Sequence, residues 1–151
     1  MCWDNETKVM NVWRNGGWEA LTTNASDIFA TLTYDYTKAG STLNIPETYT
    51  PVGSTTSPSR AAGVYETGFS LTYLFPDIND SAYLRFRING GSWNEFVSEP
   101  KDVQDRNAVY YQFPFDHPGG AMSIEVEMRK EDVGANPLDC LFCDTWFRRV
   151  G

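Results

Sequence analysis

The sequence predicts an all-β protein: an antiparallel jelly-roll β-sandwich preceded by an N-terminal β-hairpin arm. Two runs, AYLRFRI at 82–88 and MSIEVEM at 122–128, alternate apolar and polar residues with period two, as strands with one buried face do. Turn sequences such as RINGG at 87–91 and DHPGG at 116–120 separate short strand-like runs along the chain. No segment shows a sustained helical period. These three observations together indicate a sandwich, barrel or jelly roll.

The chain divides into an arm, 1–24, and a jelly-roll body, 25–151. The arm contains one hairpin, ETKVMNVWRNGGWEAL, whose Asn-Gly pair is the strongest short hairpin signal. Because a lone hairpin is only marginally stable in water, we expect the arm to pack on the body or on another protein. Aromatic residues are enriched in interface cores, so Trp3, Trp13 and Trp18 are candidate docking residues.

The body has enough sequence for eight to ten strands. FSLTYLF at 69–75 places four large side chains on one face, and VYYQFPF at 109–115 carries Pro114, which suits an edge strand. We interpret the polar stretch PVGSTTSPSRAAG at 51–63 as a loop between strands. Further candidate strands are IFATLTY, STLNI and the closing strand CLFCDTWFRRV.

The composition excludes several classes of protein. A net charge of −8 argues against nucleic-acid binding, which normally requires a basic face. No apolar run reaches the roughly 18 residues that a membrane helix needs. The segment MCWDNETKVM has neither the basic nor the apolar region of a signal peptide, so we expect synthesis in a cytoplasm.

The three cysteines, Cys2, Cys140 and Cys143, are an odd number, which argues against a disulfide framework. CLFC has the spacing of a redox motif, but it lies in an aromatic strand between two aspartates, which raise thiol pKa values. Residues three apart in a regular strand point to opposite faces, so we expect the sulfurs of Cys140 and Cys143 to lie apart. With His117 the three cysteines have the ligand types of a Cys₃His zinc site. Reduced core thiols are the preferred interpretation, and no metal is predicted.

Catalytic patterns are scarce. His117 is the only histidine, and its turn sequence FDHPGG predicts an exposed side chain rather than a catalytic one. No G-x-S-x-G elbow is present. The 20 acidic residues leave a glycosidase-like carboxylate pair open, although Glu125 and Glu127 alternate as the wet face of a strand. We therefore predict a protein that is not an enzyme and that has no cofactor.

A glycan site is the main alternative among binding functions. Tyr83 and Trp93 are candidate ligand contacts that offer ring faces to a sugar, with Asn89, Asn94 and Glu95 as hydrogen-bonding neighbours. The opposing interpretation is that Trp93 covers the end of the core beside its own hairpin.

Residues 3–21, WDNETKVMNVWRNGGWEAL, resemble a short motif of bacteriophage tail, fibre and neck-associated structural proteins. The matching residues are Trp3, Asp4, Lys8, Val9, Val12, Trp13, Asn15, Gly16, Trp18 and Leu21. The resemblance implies that the arm docks on other virion structural proteins.

Residues 28–150 are similar to the jelly roll shared by complement globular heads and tumour necrosis factor. The similarity runs through PSRAAGVYETGFSLTYL, SAYLRFRINGGSWNEF and AVYYQFPFDHPGGAMSIEVEM to the last strand. That strand reads CDTWF where the family commonly has a Phe-x-Gly pattern, and the family's acidic calcium loops match no position. The resemblance implies a homotrimer with subunit contacts at aromatic residues, for which the candidates are Tyr110, Phe113, Phe115, Trp146 and Phe147; the alternative is that these rings fill the monomer's own core.

The sequence thus predicts a non-enzymatic structural protein of a bacteriophage virion, as a capsid decoration, knob or tail-fibre component, with host attachment as a further role. Its expected location is the virion after synthesis in the host cytoplasm. Its expected partners are two further copies of itself, other virion proteins through the arm, and a host-surface glycan, but neither nucleic acid nor a membrane. The alternative function is a carbohydrate-binding module or lectin-like β-sandwich.

Overall fold

The computed structural model describes residues 2–4, 9–14, 17–20, 34–75, 80–99, 106–132 and 135–150. The chain separates into two compact units, Met1–Thr33 and Tyr34–Gly151. The sequence places the division near residue 24, and residues 21–33 lie outside the described ranges, as does most of the candidate strand IFATLTY. All pairing between described strands is antiparallel, and these residues contain no helix, so the all-β prediction is confirmed. No helix in the described ranges has the length and apolarity to cross a membrane.

The first unit contains a three-stranded sheet. Its strands, in sheet order, are β1 (Cys2–Asp4), β2 (Val9–Arg14) and β3 (Gly17–Ala20). The second and third strands form the predicted hairpin, with Trp13 opposite Trp18, while the turn between them is outside the described residues. The first strand is an addition to that hairpin and pairs Trp3 with Met10. A docking role for the three tryptophans stays a prediction.

The second unit is a sandwich of two antiparallel sheets. Its strands are β4 (Tyr34–Ala39), β5 (Thr42–Ile45), β6 (Thr50–Thr56), β7 (Gly63–Leu74), β8 (Ala82–Ile88), β9 (Asn94–Ser98), β10 (Arg106–His117), β11 (Ser123–Lys130) and β12 (Leu138–Arg149). The first sheet has the order β10-β7-β12-β4, with β5 also pairing with β12, and the second has the order β6-β11-β8-β9. The predicted jelly-roll sandwich is therefore confirmed.

The core lies between the two sheets and follows the period-two pattern of the sequence. The second sheet contributes alternate residues of its two central strands, and the first sheet contributes alternate residues of β7. The fully buried side chains among them include Phe69, Leu71, Tyr73, Leu84, Ile124, Val126 and Met128. The predicted edge position of the Pro114 strand is also confirmed, since β10 pairs only with β7 within the described residues.

The tight turn after β8 has the predicted conformation. Asn89 and Gly90 have φ angles of 50° and 68°, and the amide of Gly91 donates to the carbonyl of Ile88 at 2.9 Å. Both central residues therefore adopt the left-handed region that an Asn-Gly hairpin turn requires.

The interpretation of 51–63 as a loop was wrong, because β6 occupies its first half. Val52 and Thr55 are each 3% exposed and face the core. The Thr55 hydroxyl lies 2.6 Å from the Thr145 hydroxyl and donates to the Thr145 carbonyl at 2.9 Å. A polar sequence can thus form a buried edge strand, because its hydroxyl groups find partners across the sandwich.

Candidate functional site

The outer face of the first sheet carries an open basin with a volume of about 440 Å³. We call it the aromatic basin, and its lining residues are Tyr34, Tyr36, Glu66, Ser70, Tyr110, Gln112, Asp144, Trp146 and Arg148. They come from the four strands β10, β7, β12 and β4, which are adjacent in that order in the sheet. Residues of one strand that line the basin are two or four apart, because alternate side chains share a face.

Gly68 creates the floor of the basin. It stands between Trp146 on β12 and Gln112 on β10 in the strand register. A Cβ atom built at Gly68 would lie 2.6 Å from the Trp146 Cζ2 atom, which shows that the indole lies over the glycine. The indole ring of Trp146 fills the space that the side chain of any other residue at position 68 would occupy. Trp146 is consequently only 9% exposed.

Three tyrosines stand around this floor. Tyr34 and Tyr36 stack with ring centroids 5.8 Å apart and an interplanar angle of 16°, and the Tyr110 ring is 5.6 Å from the Trp146 ring. Their exposed fractions are 56% for Tyr34, 47% for Tyr36 and 63% for Tyr110. Large aromatic side chains are thus held in fixed positions while much of their surface remains open to a ligand.

A closed polar network borders one end of the basin. Glu66 accepts a hydrogen bond from Gln112 Nε2 at 2.7 Å, and its carboxylate lies 2.6 Å from Arg148 Nε. The Tyr110 hydroxyl donates to the Gln112 side-chain oxygen. The hydrogen bond with Glu66 raises the pKa of Arg148. Since these groups already hold one another, this border is ordered before any ligand arrives.

Asp144 borders the other end and is incompletely partnered. Its carboxylate accepts a hydrogen bond from the Tyr36 hydroxyl; desolvation, followed by this bond and by the charge of Asp144, raises the pKa of Tyr36. The Asp144 Oδ1 atom is buried and has no hydrogen-bond partner among the described residues. A buried polar atom without a partner is unfavourable, and Asp144 is also the carboxylate of the basin lining that forms no ion pair with a described cation.

The structure places Tyr83 and Trp93, the ligand contacts expected from sequence, on the second sheet instead. The guanidinium group of Arg129 lies 3.9 Å from the Tyr83 ring centroid, and those of Arg85 and Arg87 lie 4.2 and 4.5 Å from the Trp93 ring centroid. The protein's own cations therefore stack on both rings. A glycan role for these two residues stays a prediction, and this geometry favours the alternative in which Trp93 packs on its own hairpin.

The aromatic residues suggested for subunit contacts divide into two groups. Tyr110 and Trp146 line the basin on the outer face, whereas Phe147 is fully buried and Phe113 and Phe115 pack against the core. Tyr34 and Tyr36 were not among the residues predicted from the sequence. The alternation in YDYTK, with two tyrosines separated by one residue, is the signal that would have found them.

Cys140 and Cys143 both face the core, so the expectation that they point to opposite faces was wrong. The pairing of β12 with β7 shifts register between Cys140 and Phe142, and this β-bulge adds one residue and reverses the alternation. Both thiols are free and fully buried, which confirms the interpretation as reduced core thiols. Burial raises the pKa of Cys140 to about 11 and also raises that of Cys143, so neither is a reactive thiolate near neutral pH.

His117 is buried, which corrects the prediction of an exposed turn residue. It is the last residue of β10 and only 3% exposed, because the strand continues through it and its ring packs edge-on against Tyr65 at 5.3 Å. Its Nε2 atom lies 3.1 Å from the Gly120 carbonyl oxygen. Among the described residues no three His, Cys, Asp or Glu side chains form a metal-binding group. The Cys2 thiol of the alternative zinc set lies outside the described side chains.

No family model matches the chain, and no curated protein matches it in sequence. In structure it is similar to Eiger TNF from S. frugiperda, with a TM-score of 0.50 and 9% identity over 80% of this chain and 94% of that one. It is also similar to a carbohydrate-binding module of Cellvibrio mixtus lichenase 5A, with a TM-score of 0.38 and 8% identity over 80% and 99% of the two chains. The first likeness supports the TNF-like jelly-roll fold alone, and the second is too loose to support an argument.

Proposed function

We propose that this domain is a non-enzymatic carbohydrate-binding module and that the aromatic basin is its ligand site. The observation that carries the proposal is the set of three exposed tyrosine rings fixed around the Trp146 floor. Sugar rings have apolar faces that pack on aromatic side chains, and ligand sites combine such surfaces with a few placed polar groups. The basin volume of about 440 Å³ lies within the range typical of such sites.

The polar borders of the basin suit a ligand rich in hydroxyl groups. Gln112, Ser70 and Asp144 offer hydrogen-bonding atoms around the rings. Because Glu66 is already held by Arg148 and Gln112, Asp144 is the one carboxylate of the basin lining that is not committed to a cation. Glycoside hydrolysis usually requires a pair of available carboxylates, which favours binding over catalysis.

The test is a glycan array probed with the full chain and with two tyrosine variants. Tyr110→Ala removes an exposed basin ring, and we expect it to weaken binding of the best glycan about tenfold or more. Tyr83→Ala removes a ring of similar size from the second sheet and should bind as the parent does. An array without hits, or a Tyr110→Ala variant that binds like the parent, would contradict the proposal.

A second candidate function is a homotrimeric protein displayed on a virion surface. The observation that favours it is the exposure of apolar side chains on the two edge strands, which we call the apolar edge: Val97 of β9 is 49% exposed and Tyr111 of β10 is 42% exposed. Copies of a chain with two separate apolar surfaces can form a closed ring, in which one surface of each copy packs against the other surface of its neighbour. The aromatic arm would then dock on other virion proteins, and the basin or the edge would face a neighbouring copy.

Light scattering separates this candidate from a monomeric module. A trimer would have three times the chain mass of 17.1 kDa, and Val97→Lys should dissociate it by placing a charge on the apolar edge. Glu95→Lys, also on β9 but at a polar position, is the control. A parent chain that is monomeric at all concentrations tested excludes the trimer and leaves the glycan proposal standing.

A further inference from the structure

The rings of the aromatic basin differ from those of the second sheet in how they are partnered. On the second sheet, guanidinium groups lie over Tyr49, Tyr83 and Trp93, at distances from 3.9 to 5.3 Å between the guanidinium carbon and the ring centroid. On the first sheet, none of the four rings of the aromatic basin has a cation over it among the described residues. The basin therefore holds ring faces of the kind that attract cations, without the internal cations that the other sheet supplies.

Asp144 adds a negative charge beside these rings that is in no ion pair with a described cation. Its neighbours in register are Lys38 on β4 and Ser70 on β7. The Lys38 ammonium group lies over the Phe142 ring, 5.8 Å from its centroid, and makes no ion pair with Asp144. No described cation lies within ion-pair distance of the Asp144 carboxylate, whereas the other basin carboxylate, Glu66, is neutralised by Arg148.

The charge balance of the basin points in the same direction. Its lining contains two carboxylates and one guanidinium group, which leaves one net negative charge, and the whole chain carries −8. A negative field over an aromatic surface attracts cationic ligands and repels anionic ones. Acidic sugars such as uronic acids would meet repulsion at Asp144, and the one cation of the basin lining, Arg148, is already paired with Glu66.

We infer that the aromatic basin selects glycans carrying a protonated amino group over neutral and acidic glycans. The inference rests on the proposed glycan-binding function and names the ligand class of that site. The apolar face of an amino sugar packs on the tyrosine rings. Its ammonium group lies beside Asp144 and the ring faces and supplies the cation that the basin does not provide for them. The expected preference for the ammonium group is about tenfold, the combined size of one cation–π contact and one partly solvated charge pair.

The test is calorimetric titration of the full chain with three hexasaccharides at mildly acidic pH. The probes are a hexamer of glucosamine, its N-acetylated counterpart and a hexamer of galacturonic acid. We expect the glucosamine hexamer to bind about tenfold more tightly than the N-acetylated one, and the acidic hexamer to show no binding. In Asp144→Asn the preference should fall to about threefold, because the variant keeps the shape and the cation–π contact but loses the charge pair.

A matched variant separates the site from diffuse charge. Glu125→Gln removes the same charge from the second sheet, where Glu125 pairs with Arg87 at 2.7 Å, and should leave the preference intact. Equal binding of both hexamers by the parent chain would overturn the inference while leaving the glycan function standing. A preference that Glu125→Gln reduces as much as Asp144→Asn does would also overturn the inference. Failure of all three probes together with an array without hits would overturn the glycan function itself.

A short peptide tests whether the sugar ring is needed. Trilysine carries ammonium groups without a pyranose face, so we expect it to bind much more weakly than the glucosamine hexamer. Trilysine binding of equal affinity that is lost in Asp144→Asn would show a site for cationic peptides, and it would overturn the assignment to amino sugars.

Discussion

Replacing Phe69 with alanine is expected to lower the free energy of unfolding by about 4 kcal/mol, which is typical of a buried phenylalanine. Phe69 is fully buried, and its ring lies 5.6 Å from that of Phe86, 6.2 Å from that of Phe96 and 6.0 Å from that of Tyr111. Phe86 and Phe96 belong to the second sheet and Tyr111 to the first. The substitution would leave a cavity at a point where rings of both sheets meet.

Chemical denaturation of the parent and variant chains measures this effect. Tyr110→Ala is the control, since it removes a ring that is 63% exposed and should cost less than about 1 kcal/mol. A Phe69→Ala variant no less stable than the Tyr110→Ala variant would show that the ring cluster does not hold the two sheets together.

Replacing Gly68 with alanine is expected to cost about 3 kcal/mol by overpacking. The new Cβ atom would overlap the Tyr111 carbonyl oxygen and lie 2.6 Å from the Trp146 ring. The first contact is with backbone of a neighbouring strand, which cannot move aside without disturbing the pairing of β10 with β7. The second contact would push the indole off the sheet and destroy the floor of the aromatic basin.

Two measurements check the Gly68 prediction together. Denaturation should show the loss of stability, and glycan titration should show weaker binding under conditions where the variant is still folded. Gly40→Ala is the matched control, since a Cβ atom at Gly40 has no neighbour within 4 Å, and its stability should change by less than about 0.5 kcal/mol. Unchanged stability and binding in Gly68→Ala would contradict the placement of Trp146 over the glycine.

The fold was largely predictable because period-two alternation directly reflects burial on one face of a strand. That signal is strong in β8 and β11, whose buried residues are apolar and most of whose outward residues are charged. It fails in β6, where Thr55 replaces an apolar side chain and is satisfied by Thr145 across the sandwich. It also fails in β12, where a bulge shifts the alternation between Cys140 and Phe142.

The aromatic basin was much less predictable, because its residues come from four strands spread from Tyr34 to Arg148. Their proximity depends on the order of strands in the sheet and on the register of each pair, neither of which a single sequence states. Trp93 was a reasonable candidate from its place beside a turn. The sequence does not show, however, that Arg85 and Arg87 lie over its ring.

The most direct test of the glycan site is fluorine NMR on the full chain labelled with 5-fluorotryptophan. Trp146 forms the basin floor and Trp93 lies on the second sheet, so their resonances, assigned by single substitutions to phenylalanine, report on the two surfaces separately. On titration with the best glycan from the array, we predict that the Trp146 resonance shifts to saturation while that of Trp93 stays in place. A shift of Trp93 with an unchanged Trp146 would contradict the assignment and return the site to the second sheet.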